Sequence, residues 1–405
     1  MSGENDREEI KQIDSPMKSN FKFYGTSTVI VLLLSLAAYF GYQQYKIYDF
    51  EKRYKNAPVG SLIKTGTMKR NRSEHVNIPL KDNTILVVGG NKGAEIFNPK
   101  TGQYKLINRN LENISFAFND YYILKNGDIL LANKYLFQQK SKKIAKIKNY
   151  DDFYKNEILN GNALIFNNTY FFNDNIVFSN TNNQTINCYN QNNNTIENCK
   201  FSKEIKKYFT PFNYFSEDAN YSIMLDYNSD KISTSDFIRD YYFGRANVPT
   251  NLSIIKNNQQ VFKIHCPSKI PLYNGKNILH AKNNIFFVDE NSNLLVYSIQ
   301  KNECEKKISI PHFYNQTKMF FYNDNIVFIS PVVKGNRAIY ITTYDIKQNK
   351  IINELKIKYK TCARNPHVIR SYDAIIFENN ILINGGQSGI EKYSSSVKDS
   401  YLIKI

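Results

Sequence analysis

The chain has no tryptophan and is short of cysteine, histidine and proline, with 5, 5 and 11 in 405 residues. So few cysteines exclude a disulfide-dense miniature scaffold. Eleven prolines and 17 glycines exclude collagen-like and proline-rich fibres. Acidic side chains are also scarce, with 36 Asp plus Glu against 53 Lys plus Arg, a formal charge of +17. Catalytic motifs are missing too. No phosphate loop, nucleophile elbow, zinc-binding His/Glu helix or Cys-x-x-Cys pair occurs, so no catalytic residue, metal ligand or cofactor is assigned. Apolar residues reach 42% and aromatics 14%, which supports a packed core and excludes a chain disordered throughout.

Residues 23–42 read FYGTSTVIVLLLSLAAYFGY, twenty positions without a charge. As a helix this run covers about 30 Å, the thickness of a hydrocarbon core. Lys22 and Lys46 flank it, and Tyr24, Tyr39, Tyr42 and Tyr45 suit the headgroup interface. A cleaved signal peptide is the competing reading. Against it stand the long apolar run and the mixed charge of residues 1–22, with four basic and five acidic side chains. Cations near the two ends of the run tie in number, but Lys18 and Lys22 lie nearest and favour an inside N-terminus. The expectation is a single-pass protein of a bacterial cytoplasmic (inner) membrane. Residues 1–22 form a cytoplasmic tail, 23–42 the anchor and 43–60 a juxtamembrane linker, with the remainder extracytoplasmic or periplasmic. The positive charge falls on that remainder. It suits anionic headgroups or acidic partners, or it is simply compositional, because the lysines are dispersed. No nucleic-acid partner is expected from charge alone.

From residue 61 onward, apolar runs of four to seven residues alternate with Asn, Asp, Gly, Lys and Ser, an all-β pattern. A polar turn followed by a compact apolar run recurs seven times, at 81–88, 125–132, 172–179, 216–225, 282–289, 322–329 and 378–385. The spacing averages about 50 residues, the scale of a propeller blade. A strand, a turn and a second strand follow each marker, as in ITTYDIKQNKIINELKI at 341–357. The last copy, SYLIKI at 400–405, supplies one strand only. The expectation is a β-propeller over 61–405 with seven blades (six and eight are the neighbouring counts). The strand at 61–67 would complete the C-terminal blade by exchange, because such a ring must leave no exposed edge.

NTILVVGGNKGAEIFNPKTGQY at 83–104 has an apolar run, the pair Gly89–Gly90, then a small residue, an acid and an aromatic before a turn. ARNPHVIRSYDAIIFENNILINGG at 363–386 ends on Gly385–Gly386. Both segments resemble the kelch repeats of β-propellers, the second in its longer bacterial form. The resemblance implies a propeller with binding loops around a central mouth. Some members with that propeller are copper oxidases and others act on sugars. Tyr104 stands where the family often has Trp, and the middle copies lack the double glycine.

Candidate binding residues come from two places. SDFIRDYYFGRANVP at 235–249 carries Phe237, Arg239, Tyr241, Tyr242, Phe243 and Arg245, a hot-spot composition in the longest interval between markers. An ordinary strand with one buried face is the other reading. His312 and His367 each follow a proline and sit about 14 residues before the apolar runs of their markers, at equivalent positions of adjacent blades. They point to a ligand site at the mouth, or else cap strand starts. Cys188 and Cys199 flank NQNNNTIEN, a turn that brings them to disulfide distance in an oxidising compartment; five reduced, buried thiols are the alternative. The functional expectation is a membrane-anchored module that binds or scaffolds a protein or glycan. The alternative is a sugar-acting oxidase or isomerase with its site at the mouth.

Overall fold

The computed structural model describes residues 17–114, 121–124, 126–132, 134–148, 168–172, 175–179, 186–190, 193, 195–198, 215–218, 221–227, 250–256, 260–264, 278–289, 291–313, 317–330, 338–358, 369–370, 372–388, 395–396 and 398–405. The chain divides into two compact units, Met1–Asn56 and Ala57–Ile405.

The first unit contains helix α1 (Met17–Asn56). Its C-terminal end has a simple cause: Pro58 disfavours the helical conformation at the preceding residue, Ala57. Arg53 and Lys55 in the last turn complement the helix dipole. The stretch Thr28–Asn56 is long and apolar enough to cross a membrane. Its apolar side chains are bare: Leu34 is 65% exposed and Leu36 50%.

The second unit is built of antiparallel strands. β1 (Leu62–Lys64) comes first. The first sheet follows as β2 (His75–Pro79), β3 (Ile85–Gly89), β4 (Ala94–Asn98) and β5 (Gln103–Asn108). The second holds β6 (Tyr121–Ile123), β7 (Ile129–Leu131), β8 (Tyr135–Gln138) and β9 (Lys143–Lys146). The third is β10 (Asn168–Phe172), β11 (Asn175–Ser179), β12 (Ile186–Asn190) and β13 (Thr195–Asn198). The fourth is β14 (Phe215–Asp218), β15 (Tyr221–Tyr227), β16 (Thr250–Lys256) and β17 (Gln260–Ile264). The fifth is β18 (Ile278–Ala281), β19 (Asn284–Val288), β20 (Asn293–Ser298) and β21 (Glu303–Ser309). The sixth is β22 (Lys318–Tyr322), β23 (Asn325–Ser330), β24 (Ala338–Asp345) and β25 (Lys350–Lys358). Last come β26 (Ile369–Arg370), β27 (Asp373–Phe377), β28 (Asn380–Asn384), β29 (Gln387–Ser388), β30 (Ser395–Ser396) and β31 (Ser400–Lys404).

Among the described residues there are seven four-stranded sheets and one three-stranded sheet, β26-β29-β30. The first six are simple meanders. The seventh has the order β1-β31-β28-β27, with Leu62 opposite Ile403 and Lys64 opposite Tyr401. The two ends of the unit therefore meet in one sheet. Without β1, β31 would present an open edge.

Every recurring marker of the sequence is a second strand: β3, β7, β11, β15, β19, β23 or β28. Their apolar runs are continuous because both faces are covered; β3 and β28 are buried at every position. The outer strand β21 has no fully buried position, and Glu303, Glu305 and Lys306 are exposed. Polar turns supply the positive backbone φ that two-residue hairpins require. Lys282 and Asn283 adopt 53° and 62°, and Asn323 and Asp324 adopt 48° and 63°. A second local rule governs the third strands. Tyr297 donates its hydroxyl to Asn302, five residues on (2.6 Å), and Tyr344 does the same to Asn349 (2.5 Å). Both asparagines have positive φ. Where the aromatic is Phe97, with no hydroxyl, the equivalent position is Gly102.

Neighbouring sheets share cores. Leu86 and Val88 of the first pack with Ile129 and Phe137 of the second, and Phe286 and Val296 of the fifth with Met319 and Phe328 of the sixth. Val327 and Ile341 of the sixth meet Ala374 and Ile383 of the seventh. First strands also adjoin: β10 with β14, β14 with β18, β18 with β22, β22 with β27, and β27 with β2.

Ile63, at the centre of β1, is 5% exposed. Ile63→Ala should lower the unfolding free energy by about 2–4 kcal/mol, whereas Lys64→Ala on the exposed side should change it by about 0.5 kcal/mol or less. Urea denaturation of both variants checks this. Equal, small effects would mean that β1 contributes nothing to the folded unit.

Candidate functional site

The densest polar cluster among the described residues lies where the seventh sheet meets the first. The segment after β1 crosses this seam and carries Arg72 inward. Arg72 and Glu95 on β4 are both fully buried and ion-paired at 3.1 Å. Arg72 also donates to the carbonyls of Gly89 (2.7 Å) and Gly93 (3.1 Å). Glu95 accepts the backbone N–H groups of Lys69 (2.6 Å) and Arg70 (3.1 Å). Burial pulls the Arg72 pKa down, and the Glu95 carboxylate opposes that pull.

The two double glycines pack against this same segment. Gly90 has φ +65°, and a Cβ there would lie 1.7 Å from the Ser73 carbonyl oxygen. Gly385 has φ +63°, and its Cβ would lie 2.4 Å from the His75 ring. Glycine is required at both by conformation and by space. The N–H of Gly386 completes the contact by donating to the Arg72 carbonyl at 2.8 Å.

A ladder of neutral groups continues along the seam. Asn384 on β28 exchanges hydrogen bonds with Asn77 on β2 (2.8 and 2.9 Å) and meets the His75 ring at 2.6 Å. Its amide also donates to the Tyr104 hydroxyl, which contacts Ser400 Oγ at 2.5 Å. Burial pushes the Tyr104 pKa up, with Glu95 adding to the shift, so the phenol stays protonated. Asp373, at the start of β27, accepts the Asn77 N–H and pairs with Lys318 at the start of β22. This chemistry holds three sheets in register: each carboxylate is committed to a cation and to a backbone donor.

His312 has φ +57° and follows β21. Its ring stacks on Tyr340 of β24, centroids 3.8 Å apart, and its Nε2 lies 3.7 Å from Glu354 of β25. It therefore rests on the third and fourth strands of the sixth sheet, away from first strand β22. His367, Cys199 and the cluster Phe237, Arg239, Tyr241, Tyr242, Phe243 and Arg245 lie outside the described residues. Cys188 sits on β12 opposite Glu197 of β13. Cys188 and Cys304 are each in a disulfide. Among the described residues, no group of three His, Cys, Asp or Glu side chains is arranged to hold a metal ion.

Sequence reasoning marked Glu95 only as the acid of the repeat motif, and it missed Arg72, Asn384, Asp373 and Lys318. Arg72 stands in the run KRNRS, where nothing separates it from its exposed neighbours.

Arg72→Met leaves the Glu95 carboxylate buried without its cation, a loss of about 3–5 kcal/mol. The double variant Arg72→Met/Glu95→Leu should lose less than the sum of the two single variants. Urea unfolding of the three checks both statements.

No protein-family model matches the chain, and no curated protein matches it. Among solved structures, the crystal structure of the computationally designed Ika8 protein is similar at 7% identity and a TM-score of 0.43. That similarity covers 84% of this chain and 99% of that one. A likeness at that level decides nothing about this chain.

Proposed function

We propose that the chain is a single-pass protein of the cytoplasmic membrane whose strand unit is a kelch-like, seven-bladed propeller on the extracytoplasmic side, where it binds or scaffolds an envelope protein or glycan. The observation that carries this reading is the run of bare leucines and valines on α1, which need a hydrocarbon phase to cover them. Several further features support it. Seven four-stranded sheets with adjoining first strands and shared cores suit radial blades. The composite seventh sheet suits a ring joined by strand exchange. The double glycines at the seam suit the kelch pattern. Disulfides at Cys188 and Cys304 suit an oxidising compartment, with residues 1–22 left in the cytoplasm. In this reading the aromatic and arginine side chains of 237–245 are the contact surface.

Protease treatment of intact and lysed spheroplasts tests the orientation. The strand unit should be cleaved in intact spheroplasts, and Cys188 should resist thiol labelling until reduced. Protection until lysis, with both cysteines labelled freely, would reverse the anchor. Replacing Tyr242 and Arg245 by Ala should reduce crosslinking to an envelope partner at unchanged thermal midpoint. Undiminished crosslinking by the folded variant would remove that segment from the interface.

A further inference from the structure

Four cations gather at one end of the first sheet, around the segment that carries Arg72. Lys69 and Arg70 precede Arg72, Lys92 lies in the turn between β3 and β4, and Arg109 follows β5. All four are exposed. Hydrogen bonds bring the three stretches side by side. The Asn91 amide donates to the Asn71 carbonyl (2.8 Å), and the Gly93 N–H donates to the Leu111 carbonyl (2.8 Å). None of the four cations makes an ion pair among the described residues. Turn lysines elsewhere do: Lys142 meets Asp82, and Lys282 meets Asp324. The acids at this end are committed or partly covered. Glu95 is taken by Arg72, Glu112 by Lys134, and Glu74 is half-buried.

The cations stand on backbone that is already fixed. The N–H groups of Lys69 and Arg70 both bond the buried Glu95 carboxylate. The Lys92 N–H is held by the Asn91 side chain (2.7 Å). Asn108 Oδ1 accepts from the N–H groups of Asn110 and Leu111 (2.9 Å each), which clamps the bend carrying Arg109. A rim held in this way loses little loop entropy when a partner docks. The gathered charge also acts on the fold. Burial is the main cause of the lowered Arg72 pKa, and the like charge of Arg70 adds to it. An anion over Arg70 would relieve that repulsion, so docking should stabilise the folded unit. Two guanidinium forks, at Arg70 and Arg109, can each take a carboxylate in bidentate fashion. The described residues of the rim include no exposed aromatic side chain, so nothing there would stack a sugar ring.

We propose that this rim of Lys69, Arg70, Lys92 and Arg109 docks an Asp/Glu-rich segment of a partner protein. It uses none of the residues of segment 237–245, and the choice of a protein partner rests on the binding role proposed above. Purified full-length protein in nonionic detergent is titrated with fluorescent octa-glutamate. The result is blind to the side of the membrane on which the unit lies and separable from crosslinking through 237–245. The peptide should bind, weaken as salt rises and raise the thermal midpoint. Arg70→Glu/Arg109→Glu should weaken binding at least about tenfold, the scale of one charge-assisted hydrogen bond. Lys92→Gln/Arg109→Gln, which leaves the Glu95 segment untouched, should weaken it in the same direction. Lys301→Glu/Lys350→Glu makes an equal change in net charge at exposed sites of the fifth and sixth sheets. It should weaken binding by about twofold or less, because distant charges are screened. Arg70→Gln should leave the thermal midpoint of the free protein unchanged or higher, since it removes a like charge from beside Arg72. No binding of octa-glutamate would overturn the proposal. So would equal losses in the rim and control variants, which would mean a diffuse response to the charge of +17. Tighter binding of polyphosphate, or of phosphatidylglycerol added to the micelles, would overturn the assignment to a protein partner.

Discussion

A carboxylate and a guanidinium with no access to water, Glu95 and Arg72, set the terms for the strand unit. Two charges removed from solvent are tolerable only when every lone pair and proton has a partner. Glu95 meets that demand by drawing in the backbone of Lys69 and Arg70, and Arg72 by reaching the carbonyls of Gly89 and Gly93. The segment leading into β2 is thereby fixed. The double glycines can then close on it from the first sheet and from the seventh, and the Asn77–Asn384 exchange can form between them.

The two ends of the sheets serve different purposes. At the end where β2, β22 and β27 begin, polar groups are paired across sheets and largely shielded, which suits rigidity. At the opposite end the hairpin turns of the fifth and sixth sheets carry exposed lysines, Lys282 and Lys301 among them.

Much of this arrangement was legible in the sequence because it is local. An Asn or Asp before an apolar run marks a hairpin turn and the buried strand after it, and 323–329 is the clearest case. The pairing of β1 with β31 was legible for a negative reason: the last repeat lacks a partner strand, and 61–67 is a spare one. The Arg72–Glu95 pair was not legible, since its residues are 23 apart and meet only through tertiary packing. His312 shows the limit of equivalence by spacing. Position 312 leaves β21 in a left-handed turn, and the ring settles on the nearest aromatic, Tyr340, instead of turning toward the first strand.

The junction of β1 with β31 also bears on how the protein comes into being. Thr65 hydrogen-bonds Ser400 across 335 residues of sequence. Strand β1 begins only six residues after α1 ends, so it leaves the ribosome early and waits unpaired while the remaining sheets are made. Contacts of such separation form slowly. A chain interrupted before residue 400 keeps an unpaired strand edge at β1, the kind of transiently exposed edge that invites aggregation, and pairing with β31 covers it.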